Sequence, residues 1–156
     1  MPFQHAIERL ETDEQAIRIF AAMPQGPDNG DQLRRADEIA NAITFLKVAN
    51  LGGMSALVSL VRQWGVDRNI TGPSAKATVH TQFEKLREEF LELEDAISRE
   101  DQHELIDAVG DMTVVLILLS ELAGVRFETC LVAAFEEIKD RKGSMIDGCF
   151  VKQPLA

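Results

Sequence analysis

The chain has 156 residues, 46% of them hydrophobic, with a formal net charge of −10 and a pI near 4.7. That length and apolar content give one domain with a short extension and exclude global disorder. The negative balance excludes a nucleic-acid backbone as the main partner, because neutralising phosphates needs a basic field; a nucleotide bridged by divalent cations stays open.

Cys130 and Cys149 are the only cysteines. They form no CxxC pair and no disulfide framework, so the expected compartment is the cytoplasm. The N-terminus, Met1-Pro2-Phe3-Gln4-His5, lacks the basic and apolar regions of a signal peptide. The longest apolar run, Met112 to Leu119 with Thr113 inside it, is too short to span a bilayer, and no membrane partner is expected.

Helical periodicity dominates the chain. Thr12 and Gln15 have the spacing of a capping box and predict a helix from there to about Met23. Pro24 to Gly30 reads as a loop, and Asp31 to Val48 as a second helix that presents Ala36, Ile39 and Ile43 on one face. Leu51-Gly52-Gly53 breaks it, and Ser55 is placed as the cap of a third helix through Trp64. Asn69 to Ser74 forms the next loop. Three further helices are expected: Ala75–Ser98, His103–Leu122 closed by Gly124, and Phe127–Arg141 closed by Gly143. Met145 to Leu155 reads as extended or as a small turn. The fold class is all-α: a helical bundle whose central antiparallel pair carries an acidic metal site, completed by oligomerisation. Residues 1–54 form a helical N-terminal extension and residues 55–156 the functional domain.

The informative residues lie on two consecutive helices. Glu89 interrupts the apolar stripe Leu86, Leu93, Ala96, and Glu92 follows one turn later. On the next helix Glu104, Asp107 and Asp111 lead into Val114, Val115, Leu118 and Leu122 along one face. A short loop makes the two helices antiparallel neighbours, so the carboxylates converge inside a bundle. Burying such groups costs an effective several kcal/mol per ion unless they protonate or a cation neutralises them. All-oxygen ligation suits Mg²⁺, with Mn²⁺ as a substitute, and the lack of His or Cys in the cluster disfavours zinc. Acidic runs on helices are ordinarily solvated faces, and Glu88, Glu94 and Asp95 fit that description. Alignment with apolar residues, and a second acidic face at hairpin distance, argue for a site in this case.

Glu88-Glu89-Phe90-Leu91-Glu92, a hairpin, and Asp107-Ala108-Val109-Gly110-Asp111 together resemble the MazG-like all-α nucleotide pyrophosphohydrolases. Phe135 to Met145, Gly148 to Lys152 and Trp64 to Ile70 are similar to phage and prophage members, so the resemblance covers roughly residues 56–153. It implies Mg²⁺-dependent hydrolysis of a nucleoside triphosphate between the α- and β-phosphates, by dimers or tetramers. It assigns metal ligation to Glu89, Glu92 and Asp111. Ala108 stands where the family has Glu, and Glu104 or Asp107 is expected to supply the missing carboxylate.

For the mechanism, Glu88 or Glu92 is expected to deprotonate the attacking water. Lys139, Arg141 and Lys142 are candidates for the outer phosphates, although basic residues also favour helix C-termini through the macrodipole. Trp64 is a candidate to stack on a base or to pack in a core, and Gln82 and Lys85 to touch the nucleotide. A catalytically inactive helical module of the same fold is the competing reading, favoured by Ala108. A di-iron carboxylate bundle is disfavoured because no Glu-x-x-His motif occurs.

Overall fold

Six helices and one β-hairpin form over residues 4–21 and 29–153, the part of the chain that this computed structural model describes. The chain divides into two compact units, residues 1–60 and 61–156.

In the first unit, α1 (Gln4–Ala21) packs on α2 (Asn29–Asn50) and buries Ile7, Ala36 and Ile43. Ion pairs join their outer faces: Arg18 to Asp37 at 2.9 Å and Lys47 to Glu11 at 2.6 Å. The expected cap at Thr12 is wrong. α1 already runs through that position, and the Thr12 hydroxyl donates to the Glu8 carbonyl at 3.0 Å. The loop expected over 24–30 lies mostly outside the described residues, and Asn29 and Gly30 already belong to α2. After α2, Gly52 and Gly53 both take positive φ, and the Gly53 amide closes on the Val48 carbonyl at 2.8 Å.

α3 (Met54–Asp67) crosses from one unit into the other along the chain. Ser55 lies inside it rather than capping it; its carbonyl accepts from the Ser59 hydroxyl at 2.9 Å.

In the second unit, α4 (Val79–Ser98) and α5 (Gln102–Leu122) form the central pair, joined by a turn of three residues. α4 starts later than periodicity suggested because Thr78 and Thr81 cap each other reciprocally. Asp101 caps α5 by accepting from the amides of His103 and Glu104 at 3.1 and 3.2 Å. At the far end Gly124 takes φ +73°, and the Val125 amide returns to the Ser120 carbonyl at 3.0 Å. Val115, Ile117 and Leu118 are buried from α5, and Ala96 from α4.

α6 (Phe127–Ile138) ends before Arg141 and buries none of its residues. The tail resolves into strands β1 (Gly143–Ile146) and β2 (Cys149–Lys152), paired antiparallel. Asp147 and Gly148 between them both have positive φ, the two-residue turn whose twist matches a hairpin. Among the described residues, no single helix is long and apolar enough to cross a membrane.

Arg62 of α3 ties the unit together. Its guanidinium donates to Glu121 at the end of α5 at 2.6 Å and grips Glu128 at the start of α6 with two nitrogens. Removing it takes the partner from Glu121 and leaves Glu128 only the looser contact with Arg126 at 3.9 Å. Arg62→Ala should therefore cost about 2 kcal/mol in urea unfolding, below the roughly 3–5 of a fully enclosed pair. The same contact holds the Glu128 carboxyl down at about 2, against an ordinary 4.5. A depressed carboxyl stabilises the fold above its unfolded pKa and loses that contribution as pH falls through its folded one. The urea midpoint should therefore drop between pH 4.5 and 2, and the Glu128→Gln variant should show a flatter profile in that window.

Candidate active site

Helical spacing assembles the site from the central pair. Gln82, Lys85 and Glu89 follow one another at three- and four-residue steps along α4. Asp111, Val114, Val115 and Leu118 do the same along α5. These seven residues, with Trp64 of α3 and Ile70 of the loop after it, line a cavity of about 490 Å³. Its volume falls within the usual range for small-molecule sites, roughly 300–1,000 Å³. Its lining combines an ionic set, Lys85, Glu89 and Asp111, with apolar side chains from Trp64, Ile70, Val114, Val115 and Leu118.

Glu89 is the unusual group. It is only 3% exposed. Its Oε1 accepts from Lys85 Nζ at 2.7 Å, but its Oε2 is buried with no hydrogen-bond partner. Lys85 also reaches Glu88 at 3.1 Å, and these two bonds hold the ammonium above its ordinary range. The Asp111 carboxyl is pushed up, first by burial, then by the charges of Glu89 and Asp107, with Lys85 opposing. A buried carboxylate, Glu89, and a solvent-exposed one, Asp111, thus line one cavity with a single lysine, and one oxygen of Glu89 is left without a partner.

That donor set fits a hard divalent cation. Mg²⁺ is commonly held by one or two protein carboxylates, with water and substrate phosphate completing the shell. Glu89 and Asp111 would supply those two. Among the described residues no three His, Cys, Asp or Glu side chains gather as a ready metal cluster.

The other expected site residues are spread more widely. Asp107 is exposed and joins Asp111 in lining a neighbouring cleft with His103 and Ile106. Glu104 is exposed in the first turn of α5. Glu92 is exposed and outside the cavity lining, because three residues of helix turn it about 60° from Glu89. Glu88 is exposed and held by Lys85. Lys139, Arg141 and Lys142 lie beyond the end of α6 and do not line the cavity; Lys139 pairs with Glu136 and Arg141 with Glu137. Ala108 is buried.

Two features were not anticipated from the sequence. Arg68 stacks its guanidinium over the Trp64 ring at 4.3 Å, a contact readable in principle from their four-residue spacing. Gly65 lets the cavity close: a Cβ there would collide with Leu118 Cδ2 and press on Thr71 Oγ1 at 3.1 Å. No sequence pattern announces that approach.

Two stability predictions follow from this geometry. Glu89→Leu should raise the melting temperature of the metal-free protein, because it removes an unpartnered buried carboxylate; the gain is on the order of 1 kcal/mol. Mg²⁺ should further stabilise the wild type in a thermal shift assay and leave that variant unchanged. Gly65→Ala sets two effects against each other. Helix propensity favours Ala by about 1 kcal/mol, and overpacking a filled core costs typically 1–3. Leu118 is buried, so a net loss of about 1 kcal/mol is expected in urea unfolding.

Over 71 residues, 46% of this chain, the sequence is 32% identical to an uncharacterized 18.2 kDa protein from the rep–hol intergenic region of Haemophilus phage HP1. The match spans 42% of that relative's length. No solved structure matches the chain. Residues 67–142 match the family model described as phosphoribosyl-ATP pyrophosphohydrolase, PRA-PH. The segment that carries Gln82, Lys85, Glu89 and Asp111 is therefore similar to an all-α, MazG-like pyrophosphohydrolase family.

Proposed function

We propose that the unit formed by residues 61–156 is an Mg²⁺-dependent nucleoside triphosphate pyrophosphohydrolase that yields a nucleoside monophosphate and pyrophosphate. The observation that carries this reading is the buried Glu89 carboxylate, with one oxygen unpartnered, beside Asp111 in a cavity whose remaining lining is largely apolar. The likeness to a pyrophosphohydrolase family supports the reaction class.

In the reaction the Pα–O–Pβ bridge breaks, water supplies the new P–O bond, and one proton is released. When bound, Mg²⁺ supplies charge neutralisation of the polyphosphate and a more acidic water. Glu89 and Asp111 would hold it. Asp107 and Glu104 are the candidates for the ligand that Ala108 does not provide. Lys85 adds a positive charge to the cavity lining and neutralises Glu89 before the cation arrives. Of the two candidate bases, Glu88 is held by Lys85 and Glu92 is free of ion pairs among the described residues; lying one turn after Glu89 but outside the cavity lining, Glu92 would act on a water at the cavity's edge. Among the other lining residues, the Trp64 ring face opposite Arg68 would offer a stacking surface and Gln82 an amide that donates and accepts at a base edge.

A second substrate deserves a place in the assay. The matching family's description names phosphoribosyl-ATP, which has the same triphosphate and a bulkier base. The purified protein should be incubated with a panel of standard and modified nucleoside triphosphates and with phosphoribosyl-ATP, with Mg²⁺ or Mn²⁺ and then with chelator. Monophosphate and pyrophosphate are quantified. Metal-dependent release is expected, falling by a factor of about 100 or more in Glu89→Gln, as when an electrostatic stabiliser is removed. Release from phosphoribosyl-ATP alone would replace the general substrate by that one. No release from any of them by folded protein would leave the inactive binding module as the reading, with Ala108 as its cause.

A further inference from the structure

Lys85 holds two carboxylates of very different surroundings. Its ammonium lies 2.7 Å from Glu89 Oε1 and 3.1 Å from Glu88 Oε2. The Glu89 side chain is 4% exposed and the Glu88 side chain 64%, so the lysine bridges an inner station and an outer one. Both lie within one turn of it on α4, at i+4 and i+3. Among the described residues Lys85 is the only cation paired with either. The neighbouring Arg87 turns to Glu84 instead, at 3.1 Å.

The inner station is incomplete. Glu89 Oε2 is buried and has no hydrogen-bond partner, so one ammonium satisfies half of this carboxylate. A divalent ion on Glu89 would satisfy the other half, but it would then lie close to the ammonium on Oε1. Like charges about 4 Å apart repel strongly even at the effective dielectric near a protein surface. Lysine has a flexible four-carbon stem, and its second bond already points the way out, to Glu88.

We infer that Lys85 is a stand-in cation: it holds Glu89 first, withdraws to Glu88 when a divalent ion enters, and so sets how tightly that ion binds. Glu88 is then a positioning residue that receives the lysine. The inference rests on the reading of this cavity as a metal-dependent site, and adds to it that the site competes internally for its own metal. Weak metal binding by the protein alone follows. A phosphate entering the same cavity would give the displaced ammonium a new partner, because Lys85 is part of the lining.

The test is Mn²⁺ binding to the full chain without nucleotide, read from the electron paramagnetic resonance of the free ion. Lys85→Met should bind Mn²⁺ about 10-fold more tightly than the wild type, a usual size for coupling between two ligands. Lys85→Gln, also neutral but able to donate to Glu89, should do the same and serves if the Met variant does not fold. Lys85→Arg keeps the charge and should keep the weak affinity. Glu88→Gln should weaken binding in the wild-type background and have no effect beside Lys85→Met, because its action runs through the lysine. A simple loss of surface charge would weaken both backgrounds equally and would overturn the role of Glu88. Wild type that binds Mn²⁺ as tightly as both neutral variants would overturn the inference and leave the metal-dependent reading standing. No Mn²⁺ bound by any folded variant would remove that reading and the inference together.

Discussion

A carboxylate buried without a full set of partners constrains everything around it. Glu89 sits on the α4 stripe where an aliphatic residue would pack better, and only Lys85 answers its charge. Desolvation of an ion costs several kcal/mol, which the lysine offsets at one oxygen and leaves standing at the other. A helix pair tolerates this only if the rest of its seam is well packed. The seam below the site is accordingly aliphatic, with Val115, Ile117 and Leu118 buried in succession.

That requirement explains how the unit is braced. Thr78 caps the start of α4 and Asp101 starts α5 directly after a three-residue turn, which holds the two acidic faces in register. Arg62 fixes α3 against the far end of α5 and the start of α6 through Glu121 and Glu128. With α3 held there, Trp64 and the loop bearing Ile70 wall the cavity on the side that the central pair leaves open. Gly65 permits the approach because a methyl group would meet Leu118. Structural rigidity and a strained ionic centre occupy adjacent turns of the same helices, which is how a fold holds charged groups ready for a charged substrate.

The apolar surface left over is as informative as the core. α6 buries none of its residues, and the hairpin stands clear of the helices. Phe83 and Phe90 of α4, Phe135 of α6 and Phe150 of the hairpin all leave their rings about half exposed. A chain with a net charge of −10 repels its own copies at long range.

The helical class, the acidic central pair and the likeness to a pyrophosphohydrolase were legible in the sequence, because 3.6-residue periodicity and i, i+3, i+4 spacing are local properties. So was the grouping of Gln82, Lys85 and Glu89 along one helix face. Helix starts were less legible: Thr12 and Ser55 have capping chemistry but lie inside helices, while Thr78 and Asp101 do the capping. Capping residues are common, and which one is used depends on where packing begins. The tail's reading as extended or a small turn agrees with the hairpin that Asp147-Gly148 turns, although the two strands were not placed. Only the tertiary structure decided that Glu89 is buried and Glu92 exposed, that Arg62 clamps two distant carboxylates, and that Lys139, Arg141 and Lys142 lie away from the cavity. The physical reason is common to all three. Sequence spacing fixes the azimuth of a side chain on its own helix, whereas burial and partnership depend on which neighbouring element comes to lie against that azimuth.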